Sequence, residues 1–114
     1  MATHDDPDTA WAVTAAQARA TPNSEDRTSA LLMRRARGEM TLRYYAPRGR
    51  DDQSPHDQDE LYVVIAGTGQ FERAGARVAF GPGDVLFAAA GEDHRFVDFS
   101  DDFETWVVFY GPGD

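Results

Sequence analysis

The stretch Ser54-Pro55-His56-Asp57-Gln58-Asp59-Glu60-Leu61-Tyr62-Val63-Val64-Ile65-Ala66-Gly67 decides how the rest of the chain is read. Side chains of an extended strand alternate between its two faces, so His56, Gln58, Glu60, Tyr62, Val64 and Ala66 share one face. Asp57 and Asp59 then turn to solvent. The apolar run closes at Gly67-Thr68-Gly69, which has the composition of a tight turn between paired strands.

Working outward from this strand, the chain from Ser29 onward is a succession of short segments rich in Val, Phe, Tyr and Leu. Each is closed by Gly, Pro or Asp, the texture of antiparallel strands joined by turns. The boundaries predict strands over 30–35, 39–46, 59–66, 68–73, 76–80, 84–89, 93–99 and 103–110. With no helix between them, the expected class is all-β, a closed barrel or jelly roll that leaves no long exposed edge. Upstream, Thr14-Ala15-Ala16-Gln17 has the form of a capping box and predicts one short helix ending near Ala20. Met1 to Ala10 carries little to bury and reads as a disordered tail, and 21–28 reads as a polar loop. The expected division is a tail and helix over 1–28 and a barrel over 29–114.

Composition narrows the chemistry. The chain has 114 residues, 20 acidic and 11 basic side chains, a net charge of −9, and no cysteine. One domain is the expectation at this length. Without thiols, any metal must be held by imidazole and oxygen. The acidic field disfavours nucleic acid and anionic membranes as partners, and Arg34, Arg35, Arg37, Arg43, Arg48 and Arg50 read as solvated arginines on outer strand faces. No apolar run approaches the ~20 residues of a membrane span, and no secretory leader is evident, so a cytoplasmic protein is expected.

The chemistry-bearing residues are few. His94, Phe96 and Asp98 share a strand face by the same alternation that joins His56 to Glu60. If the two faces line one barrel, two imidazoles and a carboxylate converge in a set suited to Fe(II), Mn(II), Ni(II) or Zn(II). Spacing alone is weak evidence, since H-x-x-x-E is common by chance and a lone surface histidine beside acids is usually just solvated. Acidic residues cluster at 51–60 and 92–104, bracketing these positions, and their potential would attract a divalent cation.

Between Gly49 and Asp98 the sequence resembles the cupin superfamily. Its first motif, G-x5-H-x-H-x(3,4)-E-x6-G, is matched by His56, Glu60 and Gly67. Its second, G-x5-P-x-G-x2-H-x3-N, is matched by Gly83, Gly91 and His94. Fifteen residues separate Gly67 from Gly83, the short inter-motif length of small microbial members. Ser54 stands where the first histidine would be, Ala89 replaces the proline, Asp98 the asparagine, and Arg48 the opening glycine. The resemblance implies a cupin double-stranded β-helix, a divalent metal on His56, Glu60 and His94, and a homodimer. Without the first histidine, the four-ligand site does not carry over intact.

Around this centre, Ser54 and Gln58 are expected as polar pocket residues. Asp98 is expected either to orient His94 or to be a plain strand-end acid. Tyr44, Tyr62, Phe87, Phe96 and Trp106 are candidate apolar walls, and Arg43 and Arg35 are candidates to project inward and hold a carboxylate. The functional expectation is a metal-dependent enzyme of dioxygenase or isomerase type acting on a small molecule. The alternative is a non-catalytic module that binds a small molecule or metal through a degenerate site.

Overall fold

The strand–turn pattern folds into eight antiparallel strands arranged as two sheets in a computed structural model that describes residues 6–21, 29–35, 37, 39–51 and 55–112. In chain order they are β1 (Ser29–Arg35), β2 (Met40–Tyr45), β3 (Asp59–Ala66), β4 (Gly69–Arg73), β5 (Ala76–Phe80), β6 (Val85–Ala88), β7 (His94–Val97) and β8 (Glu104–Tyr110), preceded by helix α1 (Ala15–Ala20). One sheet runs β1-β2-β8-β3-β6 and the other β5-β4-β7. The expected all-β barrel with one short helix is what is observed.

Alternation sorts the side chains. On β3, Glu60, Tyr62 and Val64 are buried while Leu61 is exposed. Tyr62 and Val64 join Phe71, Phe80, Leu86, Ala88, Phe96, Phe103 and Val107 in a core drawn from both sheets. Its rings pack edge-on or tilted, with Phe96 and Phe103 centroids 4.7 Å apart and Tyr62 and Phe96 4.9 Å apart. The hollow expected inside the barrel is therefore largely filled by aromatic side chains.

A second core lies on the other face of the five-stranded sheet. There α1 sets Ala18 against Leu32, Tyr44 and Ala46, with Val13, Leu42, Ile65 and Trp106 packed around them. The helix starts as expected: Thr14 accepts from the Gln17 backbone and Gln17 from the Thr14 backbone, a reciprocal capping box. Arg19 then binds the Glu104 carboxylate, which also accepts from the Tyr44 hydroxyl at 2.5 Å.

Two expectations fail at the N-terminal side. Residues 6–10 are not a loose tail, because the Arg34 amide donates to the Pro7 carbonyl at 2.8 Å, Arg34 pairs with Asp8, and Ala10 is buried. Arg35 does not project inward; its guanidinium donates to the Pro7 and Ala10 carbonyls and pins that same segment to β1. Residues 1–5 and the 22–28 part of the expected loop lie outside the described residues.

Candidate metal centre

His56 lies on the loop entering β3, where its carbonyl accepts from the Gly91 amide at 2.7 Å. This bond ties the loop to the turn just before β7, and β7 begins with His94. Two segments far apart in sequence thus meet at one end of the sandwich. Glu60 Oε2 lies 2.7 Å from His56 Nδ1 and 3.0 Å from His94 Nε2. One ligand atom from each of the three residues falls within 4.8 Å of the other two. The side chains of Glu60 and His94 are fully buried, whereas that of His56 is 36% exposed, so the centre opens on the His56 side.

Hydrogen bonds orient each group. A backbone carbonyl can only accept, so the 2.8 Å contact between His94 Nδ1 and the Glu92 carbonyl places a proton on Nδ1 and turns Nε2 toward Glu60. The Tyr62 hydroxyl donates to Glu60 Oε1 at 2.7 Å and lies 3.1 Å from His94 Nε2. Burial by itself would raise the Glu60 carboxyl, but hydrogen bonds from His56, His94 and Tyr62 outweigh it and hold the group down at about 2. For His94, burial pulls the imidazole down, and the Glu60 carboxylate, the Glu92 carbonyl and the charge of Asp51 together raise it. A buried anion facing two imidazoles is the charge arrangement that a divalent cation would complete. The donor set of two imidazoles and one carboxylate matches open, catalytic-type metal sites.

Several expected pocket residues stand elsewhere. Gln58 donates to the Gly111 carbonyl at 2.6 Å and the Glu39 carbonyl at 3.2 Å, so its amide ties strand ends together and takes no part in the cluster. Asp98 does not reach His94. Its backbone φ of +51° ends β7 at Val97 and breaks the alternation, leaving the side chain exposed and 3.7 Å from Arg77. Tyr44 and Trp106 alternate correctly but face the helix-side core. Phe87 is 44% exposed on the outer sheet face, opposite Leu61. Asp59, expected in solvent, accepts from the Ala90 amide at 2.9 Å. Tyr62 and Phe96 lie where expected, beside the cluster and in the core beneath it. Ser54 falls outside the described residues.

Two contributors were not foreseen. Buried Asp51 accepts from the Phe96 amide at 2.8 Å and the Tyr45 hydroxyl at 2.5 Å, bracing the edge of β7 two residues beyond His94. Phe109 meets the His56 ring edge-on at 5.1 Å. Neither carries a spacing signal, because each depends on which strands become neighbours.

An antiparallel two-sheet barrel with a His–Glu–His cluster at one end defines the cupin class. A family model described as "Cupin domain" matches residues 41–109, more than half of the chain. The chain belongs to the cupin family. A curated relative, an uncharacterised Streptomyces coelicolor protein, is 36% identical over 62 residues, which are 54% of this chain and 59% of that one. The match thus spans little more than half of the relative's length. Among solved structures, a Cupin 2 conserved barrel domain protein from Salinispora arenicola is similar at TM-score 0.60 and 23% identity, over 73% of this chain and 74% of that one. A Ralstonia eutropha structure provisionally assigned as a mannose-6-phosphate isomerase gives 0.61 and 21%, over 82% and 94%. A chain from solved DMSP lyases gives 0.50 and 28%, over 65% of this chain and 38% of that one.

Proposed function

We propose that this cupin is a metal-dependent enzyme that holds a divalent transition-metal ion on His56, Glu60 and His94 and acts on a small molecule. The observation that carries this reading is the placement of one Glu60 oxygen between two imidazole nitrogens, at 2.7 and 3.0 Å, with the carboxylate held ionised. A bound metal would supply Lewis acidity, polarising a substrate oxygen or acidifying a coordinated water. The protein's own part is positional. Tyr62 fixes the Glu60 carboxylate, the Glu92 carbonyl fixes the tautomer of His94, and the packed aromatic core keeps water away from the buried side.

Substrate approaches from the side of half-exposed His56. The isomerase and lyase assignments of two similar structures support an isomerase-type or elimination reaction over a purely storage role. The non-catalytic reading draws its support from the filled interior, which leaves little room for a deeply enclosed ligand. The two readings separate by experiment. Wild-type protein loaded with Fe, Mn, Ni or Zn is expected to turn over a member of a sugar, hydroxy-acid and oxygen-uptake screen, and His94→Ala is expected to lose both metal and turnover. Bound metal without turnover across the screen favours the binding module.

Dimerisation belongs to the same proposal. Leu61, Val85 and Phe87 are exposed on the outer face beside β6, an edge strand of the five-stranded sheet, and a second copy would cover them.

A further inference from the structure

Most arginines among the described residues are occupied. Arg19, Arg34, Arg73 and Arg77 each hold a carboxylate, and Arg35 and Arg48 donate to backbone carbonyls. With 20 acids for 11 bases, counter-charges are plentiful. Arg43 is different. It is half-buried with no carboxylate partner among the described residues, whereas Arg37 and Arg95, also without one, are exposed. Its guanidinium carbon instead lies 6.0 Å from the centre of the Phe109 ring.

The position is specific. On β2, Arg43 pairs with Val107 of β8, and Val107 pairs with Tyr62 of β3, so Arg43 and Tyr62 occupy one cross-strand row. Strands lie ~4.8 Å apart, so about two strand spacings separate their backbones. Val107 lies in the core formed by both sheets, which makes this the inner face. The Phe109 ring that Arg43 approaches is the ring that meets His56 edge-on. An unpaired guanidinium and the open side of the His–Glu–His cluster therefore share one aromatic floor.

We propose that Arg43 binds the carboxylate of the substrate, so that the molecule acted on is a small monocarboxylic acid whose other end carries an oxygen directed at the His56–Glu60–His94 cluster. The inference rests on the metal-site reading for the second half of that description only. A guanidinium presents five donors in a planar fork matched to a carboxylate, and a partly desolvated pair of this kind discriminates strongly against an uncharged isostere. The surrounding negative charge favours one carboxylate over several, since each further anionic group would meet the acids of 51–60 and 92–104.

The test uses 3-hydroxypropanoate and 4-hydroxybutanoate against their primary amides, titrated by ligand-observed NMR into zinc-loaded and chelator-treated wild-type protein, Arg43→Gln and Arg43→Lys. Wild type is expected to prefer each acid over its amide by about tenfold. Arg43→Gln should erase that preference with zinc affinity unchanged, and Arg43→Lys, which keeps the charge without the fork, should retain part of it. An equal preference in Arg43→Gln, or no preference in wild type, overturns the proposal. The chelator-treated arm keeps the two readings apart. Failure to take up zinc contradicts the metal centre, while acid-over-amide preference in the same sample would still uphold Arg43.

Discussion

Gly67 shows how one atom governs the geometry of the barrel. Its φ is +91°, and a Cβ there would stand 2.5 Å from the Phe103 Cα and 2.8 Å from the Phe103 backbone nitrogen. Both obstacles are backbone, so nothing can swing aside. Gly67→Ala should destabilise the fold by at least about 2 kcal/mol, read from urea denaturation midpoints at unchanged slope. A variant as stable as wild type would mean the turn relaxes freely. At this scale the sequence was legible where two-residue alternation holds. Glu60 and Tyr62 fall together as the parity of β3 requires, while His56 joins them from the loop ahead of the strand. It left two alternatives open at Asp98, where a left-handed residue re-aims the side chain and makes it the exposed strand-end acid, and it failed at Gln58, whose long amide reaches two backbone carbonyls instead of the cluster.

Among the elements, α1 depends on an acid–base latch rather than on length, since six residues form no stable helix alone. The Glu104 carboxyl is held below its usual 4.5, first by the Arg19 hydrogen bond, with Tyr44 and the Arg19 charge adding to it against the opposing effect of burial. A depressed folded value means the contribution is present above about pH 4.5 and is lost as pH falls through the lower folded value. The Tyr44 phenol is pushed up to about 12, by burial first and then by Glu104. Its contribution is complete below 10.0 and lost as pH rises through about 12. Thermal melts across pH should therefore show wild type losing stability below about pH 4.5 more steeply than Glu104→Gln, which has no carboxylate to protonate. Parallel acid limbs for the two proteins would contradict the latch.

The element pattern itself was readable because Gly, Pro and Asp punctuate nearly every strand, so the expected and observed strand boundaries agree closely. Which sheet face looks inward was not readable for β2 and β8. Tyr44 and Trp106 alternate as expected, yet α1 covers the face they occupy, and no period within a strand reports a helix packed from elsewhere.

For the molecule as a whole, the centre lies at one end of a sandwich whose middle is solid, so the candidate site and the stability of the fold draw on different residues. Phe103, fully buried among Phe80, Phe96 and Phe99, serves stability; replacement by Ala should cost about 3–5 kcal/mol. The outer face is the one proposed for association. Light scattering is expected to give a dimer for wild type and a monomer for Phe87→Asp, which sets a charge among Leu61 and Val85; a monomeric wild type would leave that face without its proposed partner. The barrel was legible from the full run of strands, and the convergence of His56 with His94 needed only that two faces line one interior. Asp51 and Phe109 were not legible, because their roles arise from contacts between segments that no local pattern encodes.

The most direct measurement is X-ray absorption at the zinc edge on protein stripped with chelator and reloaded with one equivalent. The account predicts a first shell containing two imidazole nitrogens and carboxylate oxygen, with one imidazole lost in His56→Ala and in His94→Ala. An all-oxygen shell, or one unchanged by either substitution, would place the ion among surface acids and contradict the proposed centre.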